Sequence, residues 1–229
     1  MAGARPVSTA SVKSAIKGPA GDFGATLIGL SALTSDQVGA LTVTQAKALT
    51  ATQMAALNAT DIAEFTTAQL SAFSTTQVAA LSATNVTSLA DTQIQALSTT
   101  QVARFTNAAL KALDATQMQA LSSAQVKALT VTQIGALSST DVSEFSDTQI
   151  AALTVPQVQA WSTTVITELA GTRMAALDIT QIPSLTTTQL DYLSTTNIAA
   201  FNTTQLYAFT STQIASLDGP QIEAYLGSV

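Results

Sequence analysis

From Leu33 to Ala224 the chain repeats itself every eight residues, 24 times, without an insertion or a deletion. Written in rows with positions a to h, it runs LTSDQVGA, LTVTQAKA, LTATQMAA and onward to LDGPQIEA at 217–224. Position a is Leu, Phe or Trp in every row, and position f is apolar in every row. Position b is Ser, Thr, Asn or Asp except at Ala90 and Ala170; d is mostly Thr, e mostly Gln and h mostly Ala. A register this strict demands an architecture of small identical units, each covering the next.

Local chemistry says what one unit is. A Ser or Thr at b followed three residues later by Gln at e is a capping box: the hydroxyl accepts from the N–H of e, and the Gln side chain reaches back to the N–H of b. Thr42 with Gln45, Thr50 with Gln53, Ser74 with Gln77 and Ser98 with Gln101 fit this pattern. Pro156 and Pro220 fall at d, in the first turn, where the missing N–H costs nothing. Pro183 falls at g and predicts a local kink. Gln, Met and Ala over e to h favour helix, and f and the next a, three apart, share a helical face.

Each octad therefore reads as a very short helix that ends where the next cap begins. One continuous helix is excluded, because eight residues advance it about 80° past two turns and the Leu stripe would wind around the rod. A β-solenoid is the alternative, since an even period suits strands. Against it, a and f have opposite parity and would face opposite sides of an unbroken strand. The expected fold is an all-α solenoid of 24 capped eight-residue short helices, with a, f and h inward and b, c, d, e and g outward. One octad alone buries too little apolar surface to offset the ordering of eight backbones, so neighbours must share a core.

A slower echo overlies the octad. LNATDIAE at 57–64 returns as LSSTDVSE at 137–144, and Phe65, Phe105 and Phe145 recur at every fifth octad. Duplication of a ten-octad block explains this; five octads per superhelical turn, with the Phe rings in a column, is the structural alternative.

Residues 1–32 fall outside the pattern and are expected to form a tail and an N-terminal cap or docking arm. Residues 33–224 are the solenoid, and 225–229 the C-terminal end. Leu27, Ile28, Leu30, Tyr225, Leu226 and Val229 are the candidate end-to-end interface. The expectation is that a thinly covered C-terminal end stacks on another copy, because head-to-tail contacts that do not close grow into filaments.

Composition narrows the chemistry. The 229 residues include no His and no Cys, so disulfides, thiolate or imidazole metal sites and Ser-His or Cys-His nucleophile pairs are excluded. With 8 basic against 14 acidic residues, a phosphate-tracking surface is not expected. Asp61 with Glu64 and Asp141 with Glu144 are the close carboxylate pairs, read as solvated outer-face charges rather than an acid/base site. Trp161 at position a reads as core; Tyr192 and Tyr207 are lone aromatics that could contact haem or a sugar. No catalytic, cofactor-binding or metal residues are assigned, and no enzyme activity or cofactor is expected. No apolar run is long enough to span a membrane, and no signal-peptide h-region is visible near Met1.

The row L-[ST]-x-T-Q-[VI]-x-A, over residues 33–224, resembles octad tracts in very large bacterial surface proteins labelled haem-utilisation or adhesin-like. The resemblance implies a bacterial, extracellular repeat scaffold. No residue here maps onto a haem ligand, and a chain that is nearly all repeat points to a small self-assembling subunit. The expected function is thus a structural protein whose partner is itself, forming an extracellular filament or matrix fibre at the cell surface. The alternative is an adhesin or ice-binding module working through the Thr- and Gln-rich face. Placement is expected outside the cell or on its surface, by a route without a recognisable signal peptide, with the cytoplasm as the other location.

Overall fold

A computed structural model describes residues 38–229. Among these residues there are 22 short α-helices, one 3₁₀ helix and no strand, so the helical expectation holds and the β-solenoid does not. The helices are four to six residues long except the last, Gly219–Leu226, at eight. Leu27, Ile28 and Leu30, and the expected cap or docking arm of residues 1–32, lie outside the described residues.

The octad rule is visible in the backbone. Position b is extended, as at Thr66 (φ −69°, ψ 158°) and Ser122 (φ −66°, ψ 155°). The chain then turns through one short helix and leaves it at a, again extended, as at Phe73 (φ −60°, ψ 142°). The N–H of a bonds back to the carbonyl of f, as Phe73 does to Leu70 at 3.2 Å and Leu129 to Val126 at 3.1 Å. That tight closure and the two extended residues turn the chain once per octad. Pro156 and Pro220 sit at the helix starts, as expected. At Pro183 the α-helix is lost: octad 177–184 carries only the 3₁₀ helix Ile182–Ser184.

The chain divides into two compact units, up to Leu113 and from Asp114 onward. Within the first, each helix packs on the one three octads later: Val43–Lys47 on Thr67–Ala72, Ala51–Ala56 on Thr75–Ala79, and Ala83–Thr87 on Asn107–Lys111. Within the second the rule is the same: Ser123–Ala128 on Asp147–Ala152, Val131–Ala136 on Val155–Gln159, and Thr195–Ala200 on Gly219–Leu226. Each unit is therefore a stretch of helical solenoid. The side-chain bridges between layers run mainly to residues 28 and 31 positions earlier, as Gln77 does to Leu49 and Ala46. One rung thus takes between three and four octads, not five. Phe65 accordingly meets Phe73 edge-on at 5.0 Å, one octad away, rather than a ring five octads on.

Positions a and f form the core of both units: Leu70, Phe65 and Leu110 in the first and Ile150, Phe145 and Trp161 in the second are at most 4 % exposed. Position h is half-buried on the flank, as at Ala80 and Ala160. Position e departs from expectation. Gln69, Gln101, Gln125, Gln157, Gln189 and Gln221 are all buried, although the polar character of e predicts the outside.

Candidate functional site

A helix of five or six residues is almost all terminus. Its first N–H groups and last carbonyls have no partner inside the helix, and leaving them bare in the core would cost ~1–3 kcal/mol each. The buried Gln resolves both ends with one carboxamide. At Gln157 the side-chain oxygen accepts from the N–H of Thr154 at 2.7 Å, which closes the N-terminus of its own helix. Its Nε2 donates to the carbonyls of Val126 at 3.0 Å and Leu129 at 2.7 Å, the C-terminal carbonyls of a helix in the preceding rung.

The same arrangement recurs through each unit. In the first, Gln77 Nε2 reaches Ala46 and Leu49 at 2.9 and 2.8 Å, and Gln101 reaches Leu70 and Phe73 at 2.8 and 2.9 Å. In the second, Gln213 reaches Ile182 and Leu185, both at 2.9 Å, and Gln221 reaches Leu190 and Leu193, both at 2.8 Å. Carbonyls at a receive this bond, while those at f hold it beside the closing bond from the N–H of a. The Gln is buried because its hydrogen-bonding capacity is spent inside the layer contact.

Where e is not Gln, the bridge thins. Asn85 reaches only the carbonyl of Leu57, at 2.9 Å, and Asn197 only that of Ile166, at 3.2 Å. Arg173 substitutes with Nε on the carbonyl of Ser143 at 3.1 Å and an ion pair to Asp147 at 2.6 Å. Ala109 and Val165 fill the slot with hydrocarbon and supply no donor.

The capping expectation at b is met. Ser122 Oγ accepts from Gln125 N–H at 3.2 Å, and Thr130 Oγ1 from Gln133 N–H at 3.1 Å. Ala90 has no hydroxyl, yet Gln93 still accepts from its N–H at 2.6 Å. The b hydroxyls are thus held in caps or linked to d, as Ser146 is to Thr148 at 3.0 Å, while Thr132 and Thr140 at d face solvent.

The carboxylates need a correction. Asp61 is not a solvated outer charge: it is 4 % exposed and takes the Gln role in the cap of Asn58, accepting from its N–H at 3.1 Å. Asp141 caps Ser138 in the same way at 2.8 Å. Glu144 is half-buried, with one carboxylate oxygen buried and unpartnered. Burial first, then the negative charges of Asp141 and Asp114, hold its carboxyl above the ordinary glutamate value. Among the described residues no group of three or more acidic side chains is placed to hold a metal ion.

The remaining candidates are dispersed. Trp161 is core, with its indole N–H buried and unpartnered. Tyr192 and Tyr207 are exposed and stand apart, the first at the C-terminal cap of Thr187–Asp191 and the second at the end of Thr203–Tyr207. Tyr225 is buried against Phe209 at 6.0 Å, whereas Leu226 and Val229 are 63 % and 44 % exposed. Among the described residues no helix is long and apolar enough to cross a membrane.

Residues 52–91 and 182–219 match the ALTTAQ repeat. Each matched stretch falls inside the octad tract; 52–91 holds complete caps, as at Ser74 with Gln77, and 182–219 holds both caps and the bridge from Gln213 to Ile182 and Leu185. No curated protein matches the chain. The distinguishing feature of the molecule is therefore the interface between rungs, which sequence reading locates correctly at b and misplaces at e.

Proposed function

We propose that this chain is a structural repeat protein that assembles end to end into an extracellular filament or matrix fibre. The observation that supports it is the directional layer contact. One side of a rung offers Gln amide donors and the other offers a and f carbonyls, as Gln189 does to Val158 and Trp161 at 3.0 and 3.1 Å. A contact of that kind is heterologous, and repeating it generates an open helical array. A rung from another copy carries the same groups at the same octad spacing as a rung from the same chain. The sparseness of charge is compatible with this: 8 basic and 14 acidic residues among 229 leave long stretches of the surface uncharged. The reading assigns no catalytic role, and its partner is the chain itself.

Negative-stain electron microscopy across a range of protein concentrations tests this directly. Uniform fibres that lengthen with concentration are expected. Discrete short rods at every concentration would overturn the assignment.

A further inference from the structure

The flank of the second unit carries exposed aliphatic side chains that its core does not need. Val131, Val155 and Ile179 all stand at position c, three octads from one to the next, and are 48, 39 and 47 % exposed. Val131–Ala136 packs on Val155–Gln159, which packs in turn on the 3₁₀ element of octad 177–184, so the three residues follow a line of stacked helices. The cap and the Gln bridge explain positions b and e but give no reason for bulky apolar groups at c, where Thr and Ser also occur. A row of such groups on an otherwise polar flank marks an interaction surface.

Two open hollows adjoin this row. One, of about 400 Å³, includes Val155 and has Lys127 as its only charged lining residue. The other, of about 560 Å³, includes Ile179 and has Asp178 as its only charged lining residue. Ala151 lines both. The two hollows are thus neighbours of opposite charge, each with an aliphatic residue on its wall and a shared alanine between them.

We propose that a second copy of this chain docks here in the antiparallel sense, about a two-fold axis passing near Ala151. A two-fold axis at that point sets each hollow against the partner's other hollow. Lys127 then faces Asp178 of the other copy twice over, and Val155 and Ile179 fill the facing hollows. An isologous contact requires a self-complementary patch of this sort, and the opposed charges fix its register. Asp178 Oδ1 is occupied by the N–H and hydroxyl of Thr180, at 2.9 and 2.6 Å, leaving its other oxygen for the lysine. This contact lies on the flank rather than between rungs. It changes the width of an assembly, not its length, and does not depend on end-to-end growth.

Sedimentation velocity on the full chain, with circular dichroism to verify folding, tests it. Lys127→Asp and Val155→Glu are each expected to weaken side-by-side pairing by ~10-fold or more while leaving the helical signal intact. The double variant Lys127→Asp/Asp178→Lys is expected to restore pairing, because the charges are exchanged rather than lost. Filaments that keep their length but become single in electron micrographs of Lys127→Asp would agree. Unaltered pairing in Lys127→Asp and Val155→Glu, or no restoration by the folded double variant, would overturn the proposal. A wild-type chain that never pairs laterally would do so as well, whether or not it forms filaments.

Discussion

Gln157 Nε2 donates to the main-chain oxygen of Leu129 at 2.7 Å, across 28 residues of chain and one layer of the solenoid. The carboxamide oxygen of the same residue closes the cap of its own helix on Thr154. Local folding and layer stacking are thereby joined in one side chain, while a helix without Gln, such as Asn107–Lys111, keeps its neighbour through apolar packing.

Restoring the bridge where it is missing should stabilise the fold. Val165 is buried at a position where Gln would reach the carbonyls of Ile134 and Leu137, by the 31- and 28-residue offsets seen elsewhere. Val165→Gln is expected to gain about 1 kcal/mol, and Ala109→Gln should act similarly in the first unit. Denaturant midpoints of the two variants check this; a loss of stability in both would show that the slots are shaped for hydrocarbon.

The hydroxyls at b and d look alike in sequence and differ in work. Ser122→Ala removes an acceptor from the N–H of Gln125 and should cost about 1 kcal/mol. Thr132→Ala removes an exposed hydroxyl and should change stability by less than about 0.5 kcal/mol. Thermal melts of the two side by side separate caps from surface.

The surroundings of Glu144 set the sign of a pH dependence in the fold. Its carboxyl is held above the ordinary value by burial and by Asp141 and Asp114, so the folded state binds the proton more tightly than the unfolded state. Its favourable contribution is complete below the unfolded glutamate pKa and is lost as pH rises through the folded value. Glu144→Gln should therefore melt higher than wild type at neutral pH, with the difference shrinking below about pH 4. A constant difference across that range would contradict the account.

What could be read from the sequence follows from what is local. The cap at Thr130 and Gln133 joins positions b and e of one octad, and the proline sites Pro156 and Pro220 follow from one missing N–H. The burial of Gln is not local, because an S/T-x-x-Q box is satisfied equally well on a surface. One sign was present: e is Gln in 17 of the 24 octads, a narrower choice than a capping role on a surface requires, whereas g varies freely among Ala, Lys, Gln, Ser and others. The rung length was hidden for a related reason. It is fixed by which octads stack, and Gln157 at position e meets Leu129 at position a of the octad three earlier, a pairing that one row of the repeat does not reveal. The five-octad echo of Phe65 and Phe105 therefore misled, since residues five octads apart do not stack. Nor could periodicity alone show that Asp61, one of the few acids in the tract, is buried in a cap.

The most direct test of the central claim compares two glutamines in the second unit. Gln157 bridges rungs from position e, and Gln119 stands exposed at position g. Equilibrium unfolding in urea should show Gln157→Ala losing about 3 kcal/mol, since its bonds to Thr154, Val126 and Leu129 go and those backbone groups are left without them. Gln119→Ala should stay within about 0.5 kcal/mol of wild type. Equal losses at the two sites would mean that the buried carboxamide does not hold the rungs together.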